Sequence, residues 1–302
     1  TLRIPDWQVR TPLDAMPIHQ PLLFLYHSRK TLTYVVPDEL METAKALDWD
    51  EIERWAKLRD STARLADAAT ELRGIVPMAE FIEDLQNAYP DITEYETAIE
   101  LIMQACIIMP IFQILLTEDD AYLLQADLTD EYLANNDEVV LAQDGASVLS
   151  GPLAAPLDEI LDEQEGKDRR PIGSEIPSFP VAAVWRESLP QTRKLRDFLN
   201  ENVPDGANDF TYADSVIRQF VRITRKGNFD VHFLVNYIDI LYKMGSELDL
   251  PHLQLLSDKL IAFANEQPLW TNNGWSPNEM AKKRKAAGLS EHGPIVFDTI
   301  NI

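Results

Sequence analysis

The chain has 302 residues, 45% apolar and 25% charged, the make-up of a folded globular protein of one large or two ordinary domains. That composition excludes a disordered or collagenous chain, and a single cysteine excludes a disulfide framework. Only 11 glycines disfavour the glycine-rich nucleotide folds and favour helices, while 50 acids against 27 bases leave a formal charge of −23.

The charge is concentrated. Residues 1–73 carry 10 bases and 12 acids, and residues 167–302 carry 17 of each. Residues 74–166 carry 21 acids and no Lys, Arg or His. Such a stretch repels polyanions and attracts basic protein surfaces. Tyr95, Ile99, Leu101, Ile102, Ile107 and Phe112 give it core-forming residues, so it is no disordered tail. Three readings fit: a solvated acidic surface, a docking face for a basic partner, or mimicry of nucleic-acid charge.

Taken in chain order, proline-containing residues 1–37 read as a short helix or an extended arm. Leu40, Ala44 and Leu47 then recur at helical spacing, followed by a stripe at Trp49, Ile52, Trp55 and Leu58. A further stripe through Ala63, Leu65, Ala68 and Leu72 ends at Gly74, a plausible helix stop. Asp91-Ile92-Thr93-Glu94 has capping-box spacing and opens a helix predicted to end at Pro110. Cys106 falls in its apolar run and is expected to be buried core. Apolar 111–116 and 121–124 flank Thr117-Glu118-Asp119-Asp120, the pattern of a β-hairpin. A helix followed by a hairpin is the order of a winged helix, although this acidic turn would meet phosphate with the wrong charge.

Five prolines and four glycines between Asp144 and Pro180 mark a linker. Within it Asp158, Glu159, Asp162 and Glu163 place carboxylates three and four residues apart on a helix. An exposed acidic helix explains them better than a metal or acid–base site, because no histidine or second motif supports one. Further helices are predicted from Thr211 to Gly227, through Phe233–Met244 and through Leu253–Phe263, antiparallel by their short connections.

The most specific segment is Trp270-Thr271-Asn272-Asn273-Gly274-Trp275-Ser276-Pro277-Asn278-Glu279. Asn273-Gly274 signals a tight turn, and Ser276 to Glu279 is a capping box with proline at the first helical position. Trp270 and Trp275 flank the turn and are expected to clamp it on the bundle. The segment resembles one that recurs in poorly characterised bacterial helical proteins, many with a C-terminal SEC-C zinc motif. By pattern the likeness extends to the helices of 208–266 and to residues 31–136. This chain departs from those proteins at 293–302, where it has no cysteine cluster, so the resemblance implies no zinc. It implies an architecture and no activity.

Phosphate-binding glycine loops, H-E-x-x-H, EF-hand and G-x-S-x-G elbows are all missing, and the five histidines never fall four apart. No catalytic, cofactor or metal residue is therefore nominated. The expected fold is mainly α, helical bundle domains with a small winged-helix-like β-hairpin. The expected division is 1–143 (helical, with the acidic subdomain), 144–180 (linker) and 181–302 (bundle). No apolar run suggests a membrane span or a signal peptide, and a cytoplasmic location is expected. The functional expectation is an interaction or regulatory protein whose acidic face, at Glu118, Asp119, Asp120, Asp158, Glu159, Asp162 and Glu163, meets a basic protein, without direct DNA binding. The alternatives are an enzyme whose site assembles only in three dimensions, or a nucleic-acid-associated winged-helix regulator.

Overall fold

A computed structural model describes residues 24–28, 31–35, 45–108, 112–136, 140–141, 148–172, 182–202, 212–227 and 249–289, with Val235 and Ile238. The first elements, β1 (Phe24–Ser28) and β2 (Thr31–Val35), pair antiparallel. Residues 24–28 and 31–35 are thus paired strands, not the short helix or extended arm expected over 1–37. Aromatic and β-branched residues on both strands favour the pleated conformation.

Asp48 opens the longest helix. Its carboxylate accepts from the backbone N–H groups of Asp50 and Glu51 at 3.1 Å, and Gly74 caps the far end with φ 77°. Between them α1 (Trp49–Arg73) is one helix of 25 residues, which joins two stripes read separately in the sequence. Its first half is the less covered: Trp49 and Ile52 are exposed, whereas Ala63, Leu65, Ala68 and Leu72 are core.

The chain continues through β3 (Ile75–Pro77), α2 (Met78–Ala88) and α3 (Tyr95–Ile108). Helix α3 starts later than the Asp91 box implies, with the Glu94 carbonyl accepting from the Ala98 N–H. Next come β4 (Phe112–Leu116), β5 (Ala121–Gln125), α4 (Ala126–Asn135), β6 (Val140–Leu141) and β7 (Val148–Ser150). The strands form one sheet in the order β3-β5-β4-β7-β6, antiparallel except for β4 against β7.

The expected hairpin is there, with Leu116 opposite Ala121. It is not a wing. Both strands have neighbours on their outer sides, so the hairpin is the middle of a sheet rather than a projecting arm.

Side chains alternate across that sheet as strand geometry requires. Val76, Phe112, Ile114 and Leu123 face α1, α2 and α3. Ile75, Leu115, Tyr122, Leu124 and Leu149 face the other way, onto α4 and α5 (Leu157–Gln164), and there Trp270 completes the core. Cys106 is buried in the first of these cores, as its apolar run implies. Residues 148–150 and 157–164, inside the proline- and glycine-rich stretch, are therefore a strand and a helix of this layered unit.

After it come α6 (Ala182–Glu187), α7 (Pro190–Asn202), α8 (Tyr212–Thr224) and α9 (Leu250–Glu266). Helices α7, α8 and α9 share a core of Leu195, Phe198, Ile217, Phe220, Leu256, Leu260 and Phe263. The helix predicted over 233–244 falls almost wholly outside the described residues. A 3-10 turn at Trp270–Asn272 leads to α10 (Pro277–Ala286). Among the described residues no helix is long and apolar enough to cross a membrane.

Candidate functional site

The corner at 270–279 forms as its sequence requires. Asn273 takes a left-handed conformation (φ 53°, ψ 39°) and Gly274 follows at φ 86°. Ser276 accepts from the Glu279 N–H at 3.2 Å, and the Glu279 carboxylate accepts from the Ser276 N–H at 2.8 Å. Lys283, Arg284 and Lys285 occupy the last turn of α10, where cations suit the helix dipole.

The corner does not clamp onto the bundle alone. It bridges the two halves of the chain. Trp270 is fully buried on the sheet, and its indole N–H donates to the Glu71 carbonyl at 3.0 Å. A Cβ on Gly74 would lie 2.6 Å from the indole Cδ2, so glycine's lack of a side chain lets the ring lie against the end of α1. Asn273 Nδ2 donates to the Lys167 carbonyl, the Trp275 indole donates to the Asp168 carbonyl, and Gln164 Nε2 donates to both the Arg73 and Trp270 carbonyls. Residues 164–170 are thereby stitched to the corner.

Beneath Trp270 lies a buried ionic cluster. Arg186 Nε stands 2.5 Å from Glu71 Oε1, and Arg225 Nη1 stands 2.9 Å from Glu71 Oε2. Arg225 also pairs with Asp127 and lies over the Trp270 ring at 4.7 Å. Glu71, almost fully buried, is thus flanked by two buried guanidinium groups, and Asp127, a third exposed, also takes Arg222 at 3.3 Å; such pairing is what keeps buried charges tolerable. Burial pulls the Arg186 guanidinium down to about 10, so it remains protonated at neutral pH. Sequence reading missed Glu71, Arg186 and Arg225. The available signal is the alanine run of α1, Ala63, Ala66, Ala68 and Ala69, which marks a helix packed on several sides.

The seven acids nominated from the sequence are all exposed. The β4–β5 turn lies beside the chain that leads into α5, since the Gly151 N–H donates to the Leu116 carbonyl at 3.1 Å. Burial raises the Tyr122 phenol above its ordinary range, and Asp120, Asp119 and Asp158 act on it in the same direction. Carboxylates 38 and 39 residues apart in sequence thus act on one phenol. The turn is held by the Thr117 hydroxyl, which donates to the Asp120 carbonyl and accepts from the Asp120 N–H, each at 2.9 Å. Among the described residues no three His, Cys, Asp or Glu side chains are grouped to hold a metal ion.

Beyond α5 the acidic face runs into a cleft of about 680 Å³. Glu159, Asp162 and Glu163 line it from α5, Leu128 and Glu131 from α4, and Leu269, Thr271 and Asn272 from the corner.

No family model, no curated protein and no solved structure matches this chain.

The corner residues Trp270, Asn273, Gly274, Trp275, Ser276 and Glu279 are accounted for by packing, capping and backbone hydrogen bonds. Glu279 also pairs with Arg170 at 3.1 Å. His252 lies 2.6 Å from Asp249 at the start of α9. Among the described residues the carboxylates of the acidic turn and of α5 have no ion pair apart from Glu163, 3.6 Å from Lys167.

Proposed function

We propose that the chain is a binding module that presents the acidic face around the β4–β5 turn and α5 to a basic protein. One observation carries this reading: all seven acids of the β4–β5 turn and α5 are exposed, and the Gly151 N–H, donating to the Leu116 carbonyl at 3.1 Å, holds the chain that leads into α5 beside the turn. Like charges gathered on one surface repel each other and raise the free energy of the unbound protein, and a cationic partner relieves that repulsion. The interior place of the hairpin in its sheet favours this reading over a winged-helix regulator, because no free wing is available to enter a groove. Nucleic acid draws its affinity from cations that replace phosphate counterions, and residues 74–166 contribute none.

Titration with an octalysine peptide tests the proposal. Binding at low salt should weaken steeply between about 0.05 and 0.5 M as screening shortens the reach of the field. The triple change Glu118→Lys, Asp119→Lys and Asp120→Lys should weaken it about tenfold or more. The same reversals on α1, at Glu51, Glu53 and Asp60, should do much less. Equal loss in both triple variants would reduce the face to a contribution of net charge and overturn the proposal. Tight duplex binding by the wild-type chain at physiological salt would overturn it too.

A further inference from the structure

We infer that the cleft between α4, α5 and the 270–272 corner receives an arginine side chain of the basic partner. This rests on the acidic-face reading above and assigns that face a specific receptor site.

The charges of the cleft are unequally committed. Lys226 pairs with Glu131, and Lys167 donates to the Thr271 carbonyl at 2.7 Å while standing 3.6 Å from Glu163. Both lysines are thereby spent on neighbours. Glu159 and Asp162 line the cleft three residues apart on α5, hence on one side of that helix, with no cation among the described residues paired to them. A planar guanidinium can donate to two carboxylate groups at once, which an ammonium does with less geometric fit. Leu128, Ile160 and Leu269 line the same cleft and suit the methylene stem of an arginine.

A second observation is independent of the acids. Thr224 has no exposed surface and Asn272 only 5%, and both line the cleft. Thr224 Oγ1 and Asn272 Nδ2 are buried without a hydrogen-bond partner among the described residues. Buried polar atoms are nearly always paired, because an unmade hydrogen bond leaves the cost of desolvation uncompensated. Both atoms can donate. A peptide backbone supplies carbonyl acceptors on either side of its arginine, so one ligand satisfies the carboxylates and the two orphaned donors together. The volume of the cleft is that of a ligand site and leaves room for this backbone beside the side chain.

Calorimetric titration of the full chain with a short capped peptide of alternating glycine and arginine tests the inference, with the lysine counterpart alongside. The double change Glu159→Gln and Asp162→Asn should weaken arginine-peptide binding about tenfold, the effect of losing a charge-assisted pair. Its effect on octalysine should be smaller. Thr224→Val should weaken the arginine peptide, leave octalysine unchanged and not lower the melting temperature, since valine removes an unpartnered hydroxyl at nearly constant shape. Unchanged arginine-peptide affinity in both variants, with octalysine still bound, would overturn the cleft and leave the acidic face standing. Equal affinity for the arginine and lysine peptides would overturn the guanidinium assignment. A fall in stability of the Thr224→Val variant would mean that the hydroxyl is satisfied within the protein, removing the second support. Failure of the wild-type chain to bind either peptide or octalysine would overturn both readings.

Discussion

Asp67 is the residue whose surroundings most alter its chemistry. It is buried on α1, accepts a hydrogen bond from the Ala182 N–H at 2.6 Å and lies near Glu71. Burial raises its pKa to about 6 from 3.8, only partly opposed by that hydrogen bond. A carboxyl whose pKa is raised by folding favours the folded state in its protonated form. Its contribution is therefore present below about pH 4 and lost as pH rises through 6. Asp67→Asn keeps an oxygen for Ala182 and carries no charge, so it should stabilise by about 1–3 kcal/mol at pH 8 and by little at pH 4. Denaturant unfolding of both proteins at the two pH values isolates the effect. A difference independent of pH would remove the titration of Asp67 as its cause. Little of this is legible in the sequence, where Asp67 is one more polar residue in a helix. Its burial comes from Ala182, 115 residues later, and no local pattern reports so distant a neighbour.

Elements with local causes are the legible ones. Gly74 ends α1, Gly227 follows α8, and Ser276 with Pro277 and Glu279 starts α10, each by a backbone or capping effect complete within a few residues. Ser276→Ala should cost about 1 kcal/mol, since the Glu279 N–H loses its acceptor in a nearly buried position. An unchanged melting temperature would mean that the capping box contributes nothing. The β4–β5 hairpin is equally local, and its two apolar runs with a polar turn between them are readable from the sequence. Its place in the sheet is not. β3 and β7 flank it from 35 residues before β4 and 23 residues after β5, and both are only three residues long. Strands that short show no period, so the hairpin reads as an isolated wing. The strand pair at 24–28 and 31–35 is a different failure: the aromatic and β-branched signal is present, but the nearby prolines outweigh it.

At the scale of the molecule, one junction joins the layered sheet to the bundle: Glu71 from α1, Arg186 from α6, Arg225 after α8 and Trp270 from the corner. Breaking a buried ionic cluster by removing one member leaves the others uncompensated. Glu71→Gln preserves shape but leaves the buried Arg186 guanidinium without a carboxylate and Arg225 with Asp127 alone, and should cost about 3–5 kcal/mol, read as a large fall in the denaturation midpoint. A loss below about 1 kcal/mol would mean that water reaches the cluster and screens it. The acidic stretch is legible at this scale by counting charges, but the cleft is not, because its walls come from α4, α5, α8 and the corner and meet only in the fold. The same junction has a consequence for synthesis on the ribosome. The slot formed by Ile75, Leu115, Leu124 and Leu149 is filled by Trp270, which is translated roughly 120 residues after β7, on the order of ten seconds at ordinary elongation rates. Until then a nascent chain holds an apolar, tryptophan-shaped vacancy on its sheet. Any messenger cut short before that codon yields a chain with this slot unfilled, and such exposed surface is what chaperones and proteases act upon.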